Sequence, residues 1–101
     1  MKFVHITFRF EYMDRIDKIL DDHGVVDYVQ YPMIQGKGID GKHMGSKVYP
    51  GSFSAIQAIV PDKTVAGVLE DLEEFRKRKT AHNHLRAVVL TIETMVGDAV
   101  G

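Results

Sequence analysis

The chain has 101 residues and a formal net charge of −1 at pH 7. This length predicts a single domain, residues 1–101, and the nearly balanced charge gives no bulk attraction to nucleic acid. The absence of cysteine excludes a disulfide scaffold, a zinc–thiolate site and a thiol nucleophile. His5 and Arg9 interrupt the N-terminal apolar run, so this segment predicts neither a signal peptide nor a membrane span. We expect a cytoplasmic protein.

The first half of the chain predicts a strand, a helix and a second strand. Residues Lys2 to Phe10 alternate between apolar and polar, which is typical of a half-buried strand. From Glu11 to His23 the apolar residues recur at helical spacing, and Gly24 follows where a helix C-cap favours glycine. Residues Val25 to Met33 are rich in valine and tyrosine, which favours a strand.

The second half predicts the same elements after a long connection. Residues Phe53 to Val60 form the third strand, and a helix with Asp62 as its expected N-cap runs to about Lys79. A polar turn is expected at Thr80 to His84, and the fourth strand from Leu85 to Glu93.

The predicted order is β-α-β-β-α-β, which indicates an α+β, ferredoxin-like fold. Both helices should cover one face of a four-stranded antiparallel sheet. The other face should be partly apolar, because Phe53, Ala55 and Ile59 alternate with the inward residues of the third strand. An exposed apolar sheet face marks an interaction surface, and a symmetric homo-oligomer would bury it.

The longest connection runs from Ile34 to Ser52 and contains five of the nine glycines. A loop of this length without periodicity is usually functional or disordered. Glycines allow a ligand to approach backbone N–H groups, and interleaved lysines add positive charge for an anion. The candidate ligand-binding residues are Gly36, Lys37, Gly38, Gly41, Lys42, His43, Tyr49 and Gly51. The alternative is a solvated hairpin tip.

Three histidines are candidate metal ligands. In an extended segment, His82 and His84 would place both rings on one side, which suits a divalent metal. The third ligand would be His43, from the same or a neighbouring subunit. The alternative is that all three are ordinary surface or loop histidines.

A basic cluster follows the acidic part of the second helix. It comprises Arg76, Lys77, Arg78, Lys79 and Arg86. Such a cluster can contact an anionic ligand. The alternative is a solvated helix end with i,i+4 pairs such as Glu73–Lys77.

Catalytic patterns are weak. The carboxylates are scattered over helix surfaces, and no glycine–lysine pair is followed by the serine or threonine of a phosphate-binding loop. Ser46, Ser52 and Ser54 lack the setting of a nucleophile elbow. We therefore expect a regulatory or ligand-binding protein without enzymatic activity.

The topology and the loop together resemble the PII-like signal-transduction superfamily. The matching residues are Gln35-Gly36-Lys37-Gly38, Gly41-Lys42-His43 and Tyr49-Pro50-Gly51. The resemblance implies a homotrimer with a long T-loop, which binds a small anionic ligand, such as a nucleotide, or a protein partner. In such a trimer the 80–84 turn and the base of the loop approach each other across the subunit interface, so Lys37, Lys42 and the basic cluster could form a cleft for the ligand. Two features depart from the family pattern: Thr80–His84 has no glycine, and the C-terminal arginine pair is missing.

Two other functions fit the same predicted fold. One is a divalent-metal-binding trimer similar to the divalent-cation tolerance proteins, in which His43, His82 and His84 would act as ligands. The other is a small ferredoxin-like enzyme such as a monooxygenase, which requires a pocket between helix and sheet. The ligand candidates are thus a nucleotide, another small anion or a divalent metal.

Overall fold

The alternating N-terminal segment forms one of the two inner strands of the sheet. The structure is a computed structural model that describes residues 1–34 and 53–97. Its elements are β1 Lys2–Arg9, a 3₁₀ turn Phe10–Tyr12, α1 Met13–Asp22, β2 Tyr28–Ile34, β3 Phe53–Val60, α2 Asp62–Arg78, a 3₁₀ helix Thr80–His84 and β4 Arg86–Thr91. The strand order is β2-β3-β1-β4 with antiparallel neighbours. The predicted ferredoxin-like fold is confirmed.

One face of the sheet packs against both helices. Val4, Ile6 and Phe8 of β1 are at most 1% exposed. They share one core with residues of β3 and with the apolar stripes of the helices, namely Ile16, Leu20, Val68, Leu72 and Phe75. Removing this apolar surface from water is the main stabilisation of the fold. In the described ranges, neither helix has the length or the apolar run that a membrane crossing requires.

The C-terminus of α1 ends in a Schellman motif. Gly24 takes the left-handed conformation with φ 72°, as the sequence predicts. The Gly24 N–H donates to Asp21 O and the Val25 N–H donates to Leu20 O, which satisfies two carbonyls at the helix end. Val25 is buried beside Leu20 in the core, so the motif also fixes how the chain leaves the helix.

A polar contact joins the two helices. His23 Nε2 lies 2.6 Å from Asp71 Oδ2. The ring also lies against Gly67, where an added Cβ would be only 2.8 Å from His23 Cε1. Gly67 therefore provides the space that the His23 ring occupies between α1 and α2.

Several local predictions differ from the structure, and four of them concern element boundaries or helix type. Pro61, with extended backbone, is the N-cap of α2, and Asp62 is the first helical residue. Residues 25–27 precede β2 rather than belong to it, because the Schellman motif holds Val25. The segment Thr80–His84 is a 3₁₀ helix rather than an open turn. A 3₁₀ turn also precedes α1, at Phe10–Tyr12.

The other side of the sheet, which we call the open face, carries Phe3, His5, Thr7 and Arg9 of β1 and the residues beside them on the other strands. Val29, Tyr31, Val88 and Leu90 are between 42% and 55% exposed on it. The predicted apolar character of this face is confirmed.

Candidate functional site

The long loop starts and ends at one end of the sheet. Ile34, the last residue of β2, is paired with Phe53, the first residue of β3. Phe53 is also paired with Arg9, the last residue of β1, and β4 begins beside it with Arg86 opposite Thr7. We call this edge, marked by Arg9, Ile34, Phe53 and Arg86, the loop-bearing end. The antiparallel order thus places the loop anchors and the start of β4 together.

The residues predicted to bind ligand lie in the segment between these anchors. Gly36, Lys37, Gly38, Gly41, Lys42, His43, Tyr49 and Gly51 all fall within 35–52, outside the described residues. Their roles stay predictions.

An irregularity in β2 precedes the loop. Tyr31 is paired with Ala55 and Ile34 with Phe53, so two residues of β2, Pro32 and Met33, lie opposite one residue of β3. Met33 has φ 58°, which is uncommon for a residue with a side chain. Proline is tolerated here because β2 is an edge strand. β-Bulges of this kind are frequent beside functional sites, where they change the direction of a strand.

His82 is part of the core, contrary to the extended arrangement expected from the sequence. It is 2% exposed, and its ring stacks on Phe75 with the centroids 4.0 Å apart. Its Nδ1 lies 2.7 Å from the Phe75 carbonyl oxygen, so this nitrogen donates the hydrogen bond. Tyr12 meets the ring edge-on at 4.6 Å. His82 therefore fixes the 3₁₀ helix to α2 and to the segment before α1.

His84 lies apart from His82. Its ring meets Phe53 at 5.8 Å between centroids, in an edge-on arrangement, at the loop-bearing end. The 3₁₀ conformation replaces the extended geometry that paired the two histidines in the sequence prediction. Among residues 1–34 and 53–97, no group of three or more acidic or histidine side chains is arranged to hold a metal. His43 lies outside these ranges, so the metal site that includes it stays a prediction.

The basic cluster is divided by the fold. Arg76 donates from Nε to the Leu85 carbonyl oxygen at 3.1 Å, which joins α2 to the start of β4. Lys77 pairs with Glu73 at 3.7 Å, which confirms the predicted i,i+4 pair. Arg86 is exposed at the loop-bearing end. Arg76 and Lys77 therefore have structural partners. Arg86 is exposed at the same end of the sheet as the loop anchors, but β1 lies between it and Phe53.

Two contacts among the described residues were not anticipated from the sequence. The burial of His82 had no periodic signal, because Thr80–His84 is short and otherwise polar. The contact between His23 and Asp71 had a partial signal, since His23 continues the apolar stripe of α1 and Gly67 lies one turn before Asp71.

The similarity to known proteins is one of structure. No protein-family model matches the sequence, and no curated protein matches it. A structure of CPII, a nitrogen regulatory PII-like protein from Thiomonas intermedia K12, bound to ADP, AMP and bicarbonate, has a TM-score of 0.69 and 23% identity and covers 87% of this chain and 86% of that chain.

Two further structures give the same result. CPII bound to ADP and bicarbonate has a TM-score of 0.71 and 24% identity, over 88% of this chain and 82% of that chain. A PII-like signalling protein from Thermus thermophilus has a TM-score of 0.63 and 20% identity, over 88% of this chain and 82% of that one. The chain therefore has the PII-like variant of the ferredoxin-like fold.

Proposed function

We propose that this chain is a non-enzymatic, cytoplasmic PII-like regulatory protein that binds a small anionic ligand at the loop-bearing end. The observation that carries the proposal is the position of the 35–52 segment. In a PII-like fold, this segment joins the paired residues Ile34 and Phe53 at the same end of the sheet as the exposed Arg86. Fold alone does not define function, so the proposal depends on the chemistry of this end.

The ligand class follows from charge. Lys37, Lys42 and Lys47 of the segment and Arg86 at its anchors can all pair with an anion. The CPII structures hold ADP with bicarbonate, and AMP in one of them, and all of these ligands are anionic. We therefore propose an adenine nucleotide, alone or with bicarbonate, as the first ligand class to test.

The Thr80–His84 helix changes how a phosphate could be held here. The His82 N–H donates to Lys79 O, and the Leu85 N–H donates to His82 O. These backbone donors are used within the segment, and no glycine lets a phosphate approach the main chain. We expect recognition by lysine and arginine side chains instead.

We also propose that the chain forms a homotrimer through its open face. The neighbours on this face, Phe3, Ile59, Val88 and Leu90, are apolar and at least partly exposed. Two positively charged residues of the open face, Arg9 and Arg86, lie toward the loop-bearing end. A charge-poor apolar face offers little to a charged partner and suits an equally apolar face, such as that of a second copy.

The test is a ligand panel on the full chain. ADP, AMP and ATP, each with and without bicarbonate, are added during isothermal titration and during thermal unfolding. A ligand at 100 times its Kd should stabilise the folded state by about 2.7 kcal/mol, and it should protect Lys37, Lys42 and Lys47 from trypsin.

The variants locate the site. Lys37→Ala with Lys42→Ala, and separately Arg86→Ala, should weaken binding by about tenfold or more, since a charge-assisted contact is worth roughly 1.5–3 kcal/mol. Arg15 is exposed on α1. Arg15→Ala is therefore the matched control, and it should bind the ligand as the parent does. The proposal fails if no ligand in the panel binds, or if Arg15→Ala weakens binding as much as Arg86→Ala.

A further inference from the structure

A line of hydrogen bonds crosses three strands of the open face. The Tyr31 hydroxyl on β2 donates to Gln57 Oε1 on β3 at 3.2 Å. Gln57 Nε2 then donates to His5 Nδ1 on β1 at 3.4 Å. Gln57 and His5 are directly paired in the sheet, so the amide bridges the tyrosine and the histidine. We call these three residues the polar line.

In the orientation that the structure has, the polar line contains a neutral His5. Since an amide nitrogen donates, Nδ1 must accept, and the ring must be neutral with its proton on Nε2. An imidazolium has donors at both nitrogens, so it would place an N–H against the amide N–H of Gln57. With the amide reversed, Gln57 Oε1 could accept from the imidazolium while the NH₂ group donates to the Tyr31 hydroxyl, which can also accept. The orientation in the structure is that of a neutral His5, and the cost of charging the ring depends on its surroundings.

Apolar side chains surround His5 on the open face. His5 is paired with Val88 on β4. Phe3 is two residues before His5 on the same face of β1, and it is paired with Ile59 on β3 and Leu90 on β4. A protein surface packed on these residues would exclude water from His5, and burying an unpaired charge is costly. Burying a neutral, hydrogen-bonded ring in the same place has a much lower cost.

Within the described ranges, few charged or titratable groups face His5. On β4, Arg86 stands opposite Thr7, one pair further along the same face, and its positive charge disfavours a second cation. On β2, Tyr31 reaches His5 only through Gln57. The neighbours on β3 are Ala55, Gln57 and Ile59, which are uncharged. The helices pack on the opposite side of the sheet. None of these groups supplies an anion to stabilise an imidazolium.

We propose that His5 makes self-association of the open face pH-dependent, with the assembly stable when His5 is neutral and dissociating when it is protonated. The proposal rests on the homo-oligomer put forward above and adds its regulation. Histidine is the side chain whose charge ordinarily changes between pH 5 and 8. Because the assembly excludes the proton and the free protomer accepts it, acidification favours the free protomer.

The experiment is sedimentation equilibrium of the full chain between about pH 8 and about pH 5, with circular dichroism at each pH to confirm that the protomer stays folded. The dissociation constant should rise by about tenfold or more over this range. His5→Gln keeps a neutral group that can hydrogen-bond to Gln57, so it should remain assembled throughout. His23→Gln, on the helix side of the sheet, is the matched control and should dissociate as the parent does.

The outcomes separate this inference from the proposed function. A parent assembly that keeps its dissociation constant at pH 5 overturns the pH dependence and leaves the oligomer standing. His5→Gln dissociating on acidification like the parent also overturns it, since another group would then be responsible. A folded monomer at every pH removes the oligomer itself and this inference with it, while ligand binding remains to be decided by the titrations above.

Discussion

The two faces of the sheet are made from alternate residues of the same strands, yet they end in different environments. On β1, Val4, Ile6 and Phe8 are almost fully buried under the helices, whereas Phe3 and His5, which alternate with them, stay partly exposed. The helix-covered face contains little polar chemistry, and the open face carries the polar line and the exposed apolar residues. The helix-covered face therefore stabilises the fold, whereas the open face leaves apolar side chains exposed to solvent.

The largest expected effect tests the helix-covered face. Leu72 of α2 is 1% exposed. Leu72→Ala should lower the free energy of unfolding by about 2–5 kcal/mol, because it removes buried apolar atoms and leaves a cavity. Urea unfolding followed by circular dichroism measures the change. Val26→Ala, at a side chain that is 64% exposed, should change it by no more than about 0.5 kcal/mol. Equal losses in the two variants would contradict the contrast between the faces.

The strands of the sheet could be predicted because apolar and polar residues alternate strictly along a strand that buries one face. Strand β3 begins at Phe53 and ends at Val60, as predicted, and the order of all four strands and both helices was correct. The boundaries that were missed lie where local geometry overrides composition. Val25 is apolar and β-branched, but its N–H bonds to Leu20 O, which keeps it out of β2. Pro61 takes the N-cap position ahead of Asp62 without a side-chain oxygen to signal it.

The next effect tests the open face. Val88→Asp places a charge on a surface that we propose is covered by a second copy, where an unpaired carboxylate is costly. The dissociation constant of the assembly should rise by about 30-fold or more, equivalent to about 2 kcal/mol. Light scattering should change from about three times the 11.4 kDa protomer mass toward that of one protomer. Val26→Asp is the matched control, and it should keep the mass of the parent.

The position of the candidate site in the fold could be predicted from the sequence, but the contacts of its side chains could not. Reading Ile34–Ser52 as the connection between the second and third strands located the loop-bearing end, because the antiparallel order pairs the anchor Phe53 with Arg9 and puts the start of β4 at the same end of the sheet. The state of His82 was not predictable. Its burial depends on stacking with Phe75 and contact with Tyr12, which come from two other elements. Sequence spacing within Thr80–His84 carries no information about either contact.

A smaller effect concerns the contact that holds the two helices over the sheet. Gly67→Ala gains about 1 kcal/mol of helix propensity, but its Cβ would be 2.8 Å from His23 Cε1 and must displace the ring from Asp71. In a His23→Ala background the same substitution should show the full gain. A double-mutant cycle of unfolding free energies should therefore give a coupling of about 1 kcal/mol. Additive effects would show that the His23 ring does not need the space at Gly67.

The smallest effect lies at the rim of the helix-covered face, where α1 meets the edge strand β2. Burial raises the pKa of Asp17 above 3.8, with smaller contributions from Asp21 and Asp14, while a hydrogen bond from Gln30 acts in the opposite direction. A carboxyl group whose pKa is higher in the folded state binds protons more strongly there. Its ionisation therefore opposes folding once the pH rises above the folded pKa, and this cost disappears below the unfolded value.

Asp17→Asn removes that charge and keeps a side-chain oxygen to accept from Gln30. Because Asp17 is only partly buried, solvent screens most of the effect. The variant should be more stable than the parent at neutral pH by no more than about 0.5 kcal/mol. Urea unfolding at several pH values should show this difference shrinking as the pH falls toward 3.8, the ordinary value for the carboxyl group. Glu74→Gln, on the exposed side of α2, controls for the loss of one negative charge. If Glu74→Gln gave the same pH-dependent gain, the effect would come from net charge, and the raised pKa of Asp17 would have no part in it.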